Sequence, residues 1–358
     1  MPNQANRADW SRRYSVVQWA TGNVGARALR RVIEHPGLDL TGVWVSNPDK
    51  VGRDAGELAG VAPVGIKATN SLDDVIALKP DCVLYMPHVN VVDLVCRLLE
   101  SGINIVSTRM EYQNPAGLDP TDRSRIEEAC RRGNSSIHAT GSSPGFISEA
   151  IPIVLTSISR RLDRLTISEF ADTSSRNSPE MLFGPMMGFA AKPGNLNVAM
   201  MEHMRGSFAP SLNLVAEAMG LPFDDVTVHG AQGVARKDTQ IAAGLVPAGT
   251  VAATKTTVSG MRGGKPVMVF EAIWYVSADV DTSDGKDWNF RKSGWRVLVE
   301  GDTPLDITIG FPVSEEDYPE FTPNLTAHRP VNAIPYVVAA KPGFATTVDL
   351  PQVIARLG

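Results

Sequence analysis

Residues 14–32 pass from a β-rich run, Ser15-Val16-Val17-Gln18-Trp19, through a glycine turn into a run of helix formers, Ala26-Arg27-Ala28-Leu29-Arg30-Arg31-Val32. The turn reads Ala20-Thr21-Gly22-Asn23-Val24-Gly25, an AxGxxG pattern with Ala20 where the first glycine of the common GxGxxG stands. In such a unit Gly22 lets the backbone approach a pyrophosphate and Gly25 lets the helix close onto the strand. The unpaired N–H groups of the helix start then face the phosphates. This is a dinucleotide-binding turn, and it commits the first part of the chain to an α/β fold, a Rossmann-type doubly wound parallel sheet.

The alternation continues downstream. Residues 40–45 supply a second strand, and the residues just past its end bear on the cofactor. NAD-preferring sheets place an acidic residue there for the ribose 2′-hydroxyl, about twenty residues past the glycines. Here the strand gives way to Ser46-Asn47-Pro48, then Asp49, Lys50 and Arg53. Ser46, Asn47, Lys50 and Arg53 suit a 2′-phosphate, which favours NADP, while Asp49 keeps NAD open. Residues 64–68 read as a third strand. Residues 81–86 are a nearly continuous apolar run, as in a strand buried on both faces, and put Met86 and Pro87 at a ligand-facing carboxyl end. A helix over 91–101 and a strand over 104–108 lead to Arg109-Met110-Glu111-Tyr112. Glu111 thus sits where the nicotinamide is expected, and position alone leaves it a cap, a surface charge or a catalytic carboxylate. After a helix over 119–132 and a strand over 136–140, the turn Gly141-Ser142-Ser143-Pro144-Gly145-Phe146 faces the same edge, which makes Pro144 and Phe146 candidate pocket residues beside Tyr112. Residues 147–162 read as an apolar helix.

From residue 164 the pattern changes to strands over 165–171, 226–234, 251–259, 267–276 and 295–300, with turns such as Gly263-Gly264. That predicts a second α+β domain on an antiparallel sheet. Residues 178–221 read as helical and methionine-rich (Met181, Met186, Met187, Met200, Met201, Met204), residues 279–289 as a mobile polar loop, and the tail as helical around Val331-Asn332-Ala333.

With 358 residues the chain is long enough for two domains, and a net charge of −5 without a basic stripe argues against nucleic acid. Residues 1–13 are polar and form a flexible segment with no signal-peptide core, and no apolar run approaches membrane-spanning length, so a cytoplasmic protein is expected. Cys82, Cys96 and Cys130 make no CxxC pair, which argues against a disulfide framework and a structural metal.

The glycine turn, the Thr108-Arg109-Met110-Glu111 junction, the 141–146 turn and the tail Arg329-Pro330-Val331-Asn332-Ala333-Ile334-Pro335 together resemble the group of native amine dehydrogenases and 2,4-diaminopentanoate dehydrogenase, whose first domain is like dihydrodipicolinate reductase. The resemblance implies a dinucleotide domain over 14–146 completed by 325–358, with Asn332 at the cofactor, and a substrate and dimerisation domain over 147–324 that forms a homodimer through its sheet. It implies reversible reductive amination of a small ketone or aldehyde by ammonia, with Glu111 as the catalytic residue and no metal. The HHxxK run of true dihydrodipicolinate reductases is absent; His138-Ala139 is the nearest approach, which argues against a lysine-biosynthetic role. Two other functions stay open: an NAD(P)-dependent carbonyl or alcohol oxidoreductase with Tyr112 as proton donor, and a nucleotide-binding protein without catalysis.

Overall fold

Strands that are apolar on both faces need helices on both sides, and the first half of the chain supplies them in alternation. A computed structural model describes residues 8–185, 187–194, 198–314 and 316–357. Two compact units divide the chain, Met1–Phe146 with Thr322–Gly358, and Ile147–Phe321.

The first unit runs β1 (Tyr14–Trp19), α1 (Asn23–Glu34), β2 (Leu38–Trp44), α2 (Ala55–Ala59), β3 (Ala68–Thr69), α3 (Leu72–Ala77), β4 (Cys82–Tyr85), α4 (Val92–Glu100), β5 (Asn104–Ser107), α5 (Pro120–Gly133) and β6 (Ser136–Ala139). In the second unit come α6 (Ile151–Thr156), β7 (Leu162–Asp172), α7 (Pro179–Phe183), α8 (Val198–Ala218), β8 (Asp225–Ala235), β9 (Thr239–Ile241), β10 (Gly244–Val246), β11 (Val251–Arg262), β12 (Lys265–Tyr275), β13 (Val280–Thr282), β14 (Gly294–Gly301) and β15 (Leu305–Gly310). Helix α9 (Tyr318–Val338) and β16 (Gly343–Phe344) end the chain.

The first sheet has the order β16-β6-β5-β4-β1-β2-β3, and every neighbouring pair is parallel. Its order reverses between β1 and β4, which makes the carboxyl ends of these two strands the switch point where such sheets take ligands. One face packs Val17, Val83, Tyr85 and Ile105 against α3, α4 and α5. The other packs Val16, Leu84 and Val106 against α1 and the apolar residues Ala327, Val331, Ile334 and Val337 of α9. The third strand is shorter than expected: within 64–68 only Ala68 joins the ladder. The buried carboxylate of Asp54 accepts the amides of Val64 and Gly65, both at 2.9 Å, and so holds that stretch as a turn. Of the segment expected to be flexible, residues 1–7 lie outside the described residues, whereas Trp10 stacks on His35 at 5.5 Å and its carbonyl accepts from Arg356.

The second sheet, β13-β8-β11-β12-β7-β14-β15, corrects the expectation of a purely antiparallel one: β12 and β7 pair in parallel and the other neighbours antiparallel. Strand β7 enters between two later strands, so a same-direction neighbour results from the chain path. Among the described residues, 178–221 are helical in α7 and α8 only; between them Gly188 and Ala190 adopt positive φ (66° and 59°), which breaks a helix. Met186 lies outside the described residues. Of residues 147–162, 147–150 are π-helical and run straight into α6, so the expected helix is present but stops at Thr156. The loop expected to be mobile contains β13, paired with β8, and Trp288, which is 3% exposed and donates its indole N–H to Asp284 at 2.9 Å.

Candidate active site

The glycine turn is built by β1 stopping abruptly. Ala20 takes φ 74°, the left-handed conformation that a glycine would adopt without strain, so the missing first glycine is replaced in sequence but not in geometry. Gln18, fully buried, donates its amide to Ala20 O at 2.8 Å and braces the turn from behind. A Cβ at Gly25 would lie 2.3 Å from Ala20 O, so only glycine lets α1 close onto the turn. A Cβ at Gly22 would meet nothing within 4 Å: the space in front of this residue is open. Thr21 is nearly buried, Val24 packs partly into the core, and Asn23 at the start of α1 is exposed and accepts from Arg27.

Lys50 reaches back to this turn, its ammonium donating to Thr21 O at 2.9 Å and lying 3.2 Å from Thr21 Oγ1. Asn47 accepts the Asp49 amide at 2.9 Å and starts the short turn that aims Lys50. Ser46 is exposed, and Arg53 is nearer to Glu57 (3.9 Å) on the surface.

Beside the switch point, the loops after β4 and β5 are tied together. Ser107 Oγ donates to Tyr85 O at 2.7 Å and accepts the Arg109 amide at 3.0 Å, which turns the chain into a 3-10 helix over Met110–Tyr112. Glu111 stands on this turn, 30% exposed, with Arg109 on its Oε1 at 2.6 Å. Arg109 also donates to His88 O at 2.6 Å, just past Met86 and Pro87. Tyr112 is 2% exposed and donates its hydroxyl to Asn90 Oδ1 at 2.8 Å; burial pushes the phenol well above its ordinary value. Tyr112 is therefore a core residue that ties two loops, not a group lining open space.

At the end of β6, Pro144 is buried and follows a cis peptide, and Gly145 takes φ 124°. Arg329 of α9 donates to Thr140 Oγ1 at 3.0 Å and lies 5.6 Å from the centre of the Phe146 ring. His138 is fully buried, with Nδ1 2.6 Å from Ala345 O; burial drives it down to about 4, so it is neutral and structural.

The residues fit a nicotinamide dinucleotide. The open space at Gly22 suits a pyrophosphate, and two buried acceptors, Gln18 Oε1 and Asn332 Oδ1, have no hydrogen-bond partner among the described residues. Gly22, the start of α1 and Lys50 would hold the phosphates and ribose, and Met86, Pro87 and Asn332 would lie on the nicotinamide side. Sequence reasoning missed Arg109 and Arg329 as partners of this edge, although both lie in motif segments: a guanidinium near a glutamate is too common a neighbour to be read from spacing. Lys50 and Arg53 look alike along the chain, and only the fold separates them.

A glycine turn at the switch point of a parallel sheet, with orphaned acceptors and an acidic edge, defines a nicotinamide-dependent oxidoreductase. Residues 16–137 match the family of the dihydrodipicolinate reductase N-terminus, and residues 146–358 match that of the 2,4-diaminopentanoate dehydrogenase C-terminal domain. The chain belongs to the amine dehydrogenase family that includes 2,4-diaminopentanoate dehydrogenase. It is similar to an amine dehydrogenase of Streptomyces virginiae, at 30% identity with 96% of this chain and 98% of the relative covered. A 2,4-diaminopentanoate dehydrogenase of Acetoanaerobium sticklandii is 21% identical, with 96% and 95% covered. The structure of an amine dehydrogenase from Mycobacterium smegmatis has the same fold, with a TM-score of 0.71 at 21% identity over 99% of each chain.

Proposed function

We propose that this dehydrogenase catalyses the reversible reductive amination of a small, apolar ketone or aldehyde by ammonia, with NADP favoured over NAD. The observation that carries this reading is Glu111: a carboxylate held just past β5, at the ligand-binding edge of the first sheet, with one oxygen engaged by Arg109. Ammonium leaves a proton on Glu111. The ammonia so formed attacks the carbonyl, a proton moving from nitrogen to oxygen to give a carbinolamine. Transfer of the Glu111 proton to the carbinolamine hydroxyl releases water and leaves a cationic iminium. A nicotinamide held at this edge would supply the hydride that reduces that carbon. Glu111 accepts the proton shed by the nitrogen and stabilises the cation electrostatically. The choice of NADP rests on Lys50 beside the turn and on the absence of a carboxylate directly after β2, where Ser46 and Asn47 stand.

The alternative carbonyl reductase chemistry needs a proton donor, and Tyr112 serves it badly: its hydroxyl is spent on Asn90 and the ring is buried. Homodimerisation through the second sheet belongs to the same reading. Phe208 of α8 stacks on Phe270, on one face of that sheet, and the register puts Ser168, Thr257, Glu271 and Arg296 on the opposite face.

The test is cofactor oxidation with short ketones and aldehydes, with and without excess ammonium, for the native chain and Glu111→Gln. The native enzyme should turn over only with ammonium. The amide should lower turnover about a hundredfold while melting at the same temperature. Ammonium-independent turnover, or an unaffected amide variant, would remove this reading.

A further inference from the structure

Arg109 and Glu111 are two residues apart, and their contact is lopsided. Nε and Nη2 of the guanidinium both donate to Oε1 of Glu111, at 2.9 and 2.6 Å, while Nη1 donates to His88 O at 2.6 Å and lies 3.5 Å from Pro87 O. Oε2 accepts no hydrogen bond among the described residues. The two side chains are 26% and 30% exposed, so an ordinary ion pair here adds little to stability. Its consequence lies in direction. A planar fork that takes one carboxylate oxygen, and is itself anchored on a backbone carbonyl of the neighbouring loop, fixes the plane of the carboxylate and leaves the lone pairs of the other oxygen turned away. Tyr112 and Asn90 tie the same two loops, so the anchor itself is firm.

We infer that Arg109 is the positioning residue of the amine chemistry, holding Glu111 by Oε1 so that Oε2 is the oxygen that accepts the proton from nitrogen. The inference rests on the proposed amination. As the N–C bond forms, the nitrogen lone pair goes into that bond and the C=O π pair moves onto oxygen; the proton released by nitrogen passes to Oε2 and from there to that oxygen, giving the carbinolamine, while Arg109 keeps its own protons throughout. Because the guanidinium works through Glu111, its removal has no effect once the glutamate's charge is gone.

The experiment is a double-mutant cycle on ammonium-dependent cofactor oxidation with the full chain: native, R109A, E111Q and R109A/E111Q, with cofactor affinity followed by fluorescence titration. R109A should lower kcat at least about tenfold and leave cofactor Kd within about twofold, and the double variant should lose no more than E111Q alone. R109Q, which retains an amide donor for His88 O but has neither charge nor fork, should fall as R109A does, and it replaces R109A if that protein fails to fold. Native-like kcat in R109A or R109Q overturns the inference, and so do losses that multiply in the double variant, with the amination reading intact. Native-like turnover in E111Q overturns both.

Discussion

Two glycines three residues apart have opposite structural reasons, and substitution separates them. At Gly25 the added methyl of Gly25→Ala would lie 2.3 Å from Ala20 O and 3.0 Å from Ala20 C, both backbone atoms, with Gln18 Nε2 3.2 Å away. An ordinary carbon–oxygen contact is near 3.3 Å, so α1 has to retreat from the turn by about 1 Å. Strain of that kind costs roughly 1–3 kcal/mol. In a unit of this size it lowers the melting temperature by on the order of 5 °C. At Gly22 an added Cβ meets nothing within 4 Å and the backbone, at φ −72°, tolerates any residue. Gly22→Val should therefore melt like the native protein and lose cofactor affinity by about tenfold or more, since the branched side chain fills the space a pyrophosphate takes. Gly25→Ala should lose both stability and affinity. The assays are thermal unfolding and fluorescence titration with the reduced cofactor. A Gly22→Val protein that folds and binds cofactor normally would refute the phosphate-turn argument, and one that loses stability like Gly25→Ala would refute the claim that the space is open.

Lys50→Ala should weaken NADP about tenfold more than NAD, the scale of one lost charge-assisted hydrogen bond, whereas Arg53→Ala should change neither; equal losses for both cofactors in Lys50→Ala would mean that the lysine only braces Thr21. Buried His138 is held near 4 against an ordinary value of 6.5, so between those values the unfolded chain binds a proton that the folded chain refuses. Stability from this residue is complete above about pH 6.5 and declines as pH falls toward 4. Urea midpoints measured from pH 7 to pH 4.5 should therefore fall less steeply for His138→Gln than for the native protein; parallel curves would show that His138 titrates normally in the fold.

The doubly wound sheet could be read from the sequence because its signals are local: a strand, a glycine turn and a helix sit together, and strands buried on both faces are apolar throughout. The second unit was less legible. The five strands expected there lie nearly where expected, but β9, β10, β13 and β15 were not foreseen, and the parallel pairing of β7 with β12 depends on two segments about a hundred residues apart, where no periodicity encodes a neighbour. The 64–68 stretch looked like a strand because its residues suit one, but a single carboxylate, Asp54, outcompetes the ladder for two of its amides.

The same division runs through the site. Sequence alone determined the glycine turn, the place of Glu111 past a strand and the polar run after β2, since each is a short pattern whose meaning comes from chain geometry. Only the tertiary structure decided that Ala20 takes the glycine's conformation, that Lys50 rather than Arg53 reaches Thr21, that Tyr112 is buried on Asn90, and that Arg109 grips one oxygen of Glu111. Each of these depends on which way a side chain turns against atoms from another loop, and that direction is fixed by packing across the sheet edge, not by spacing along the chain.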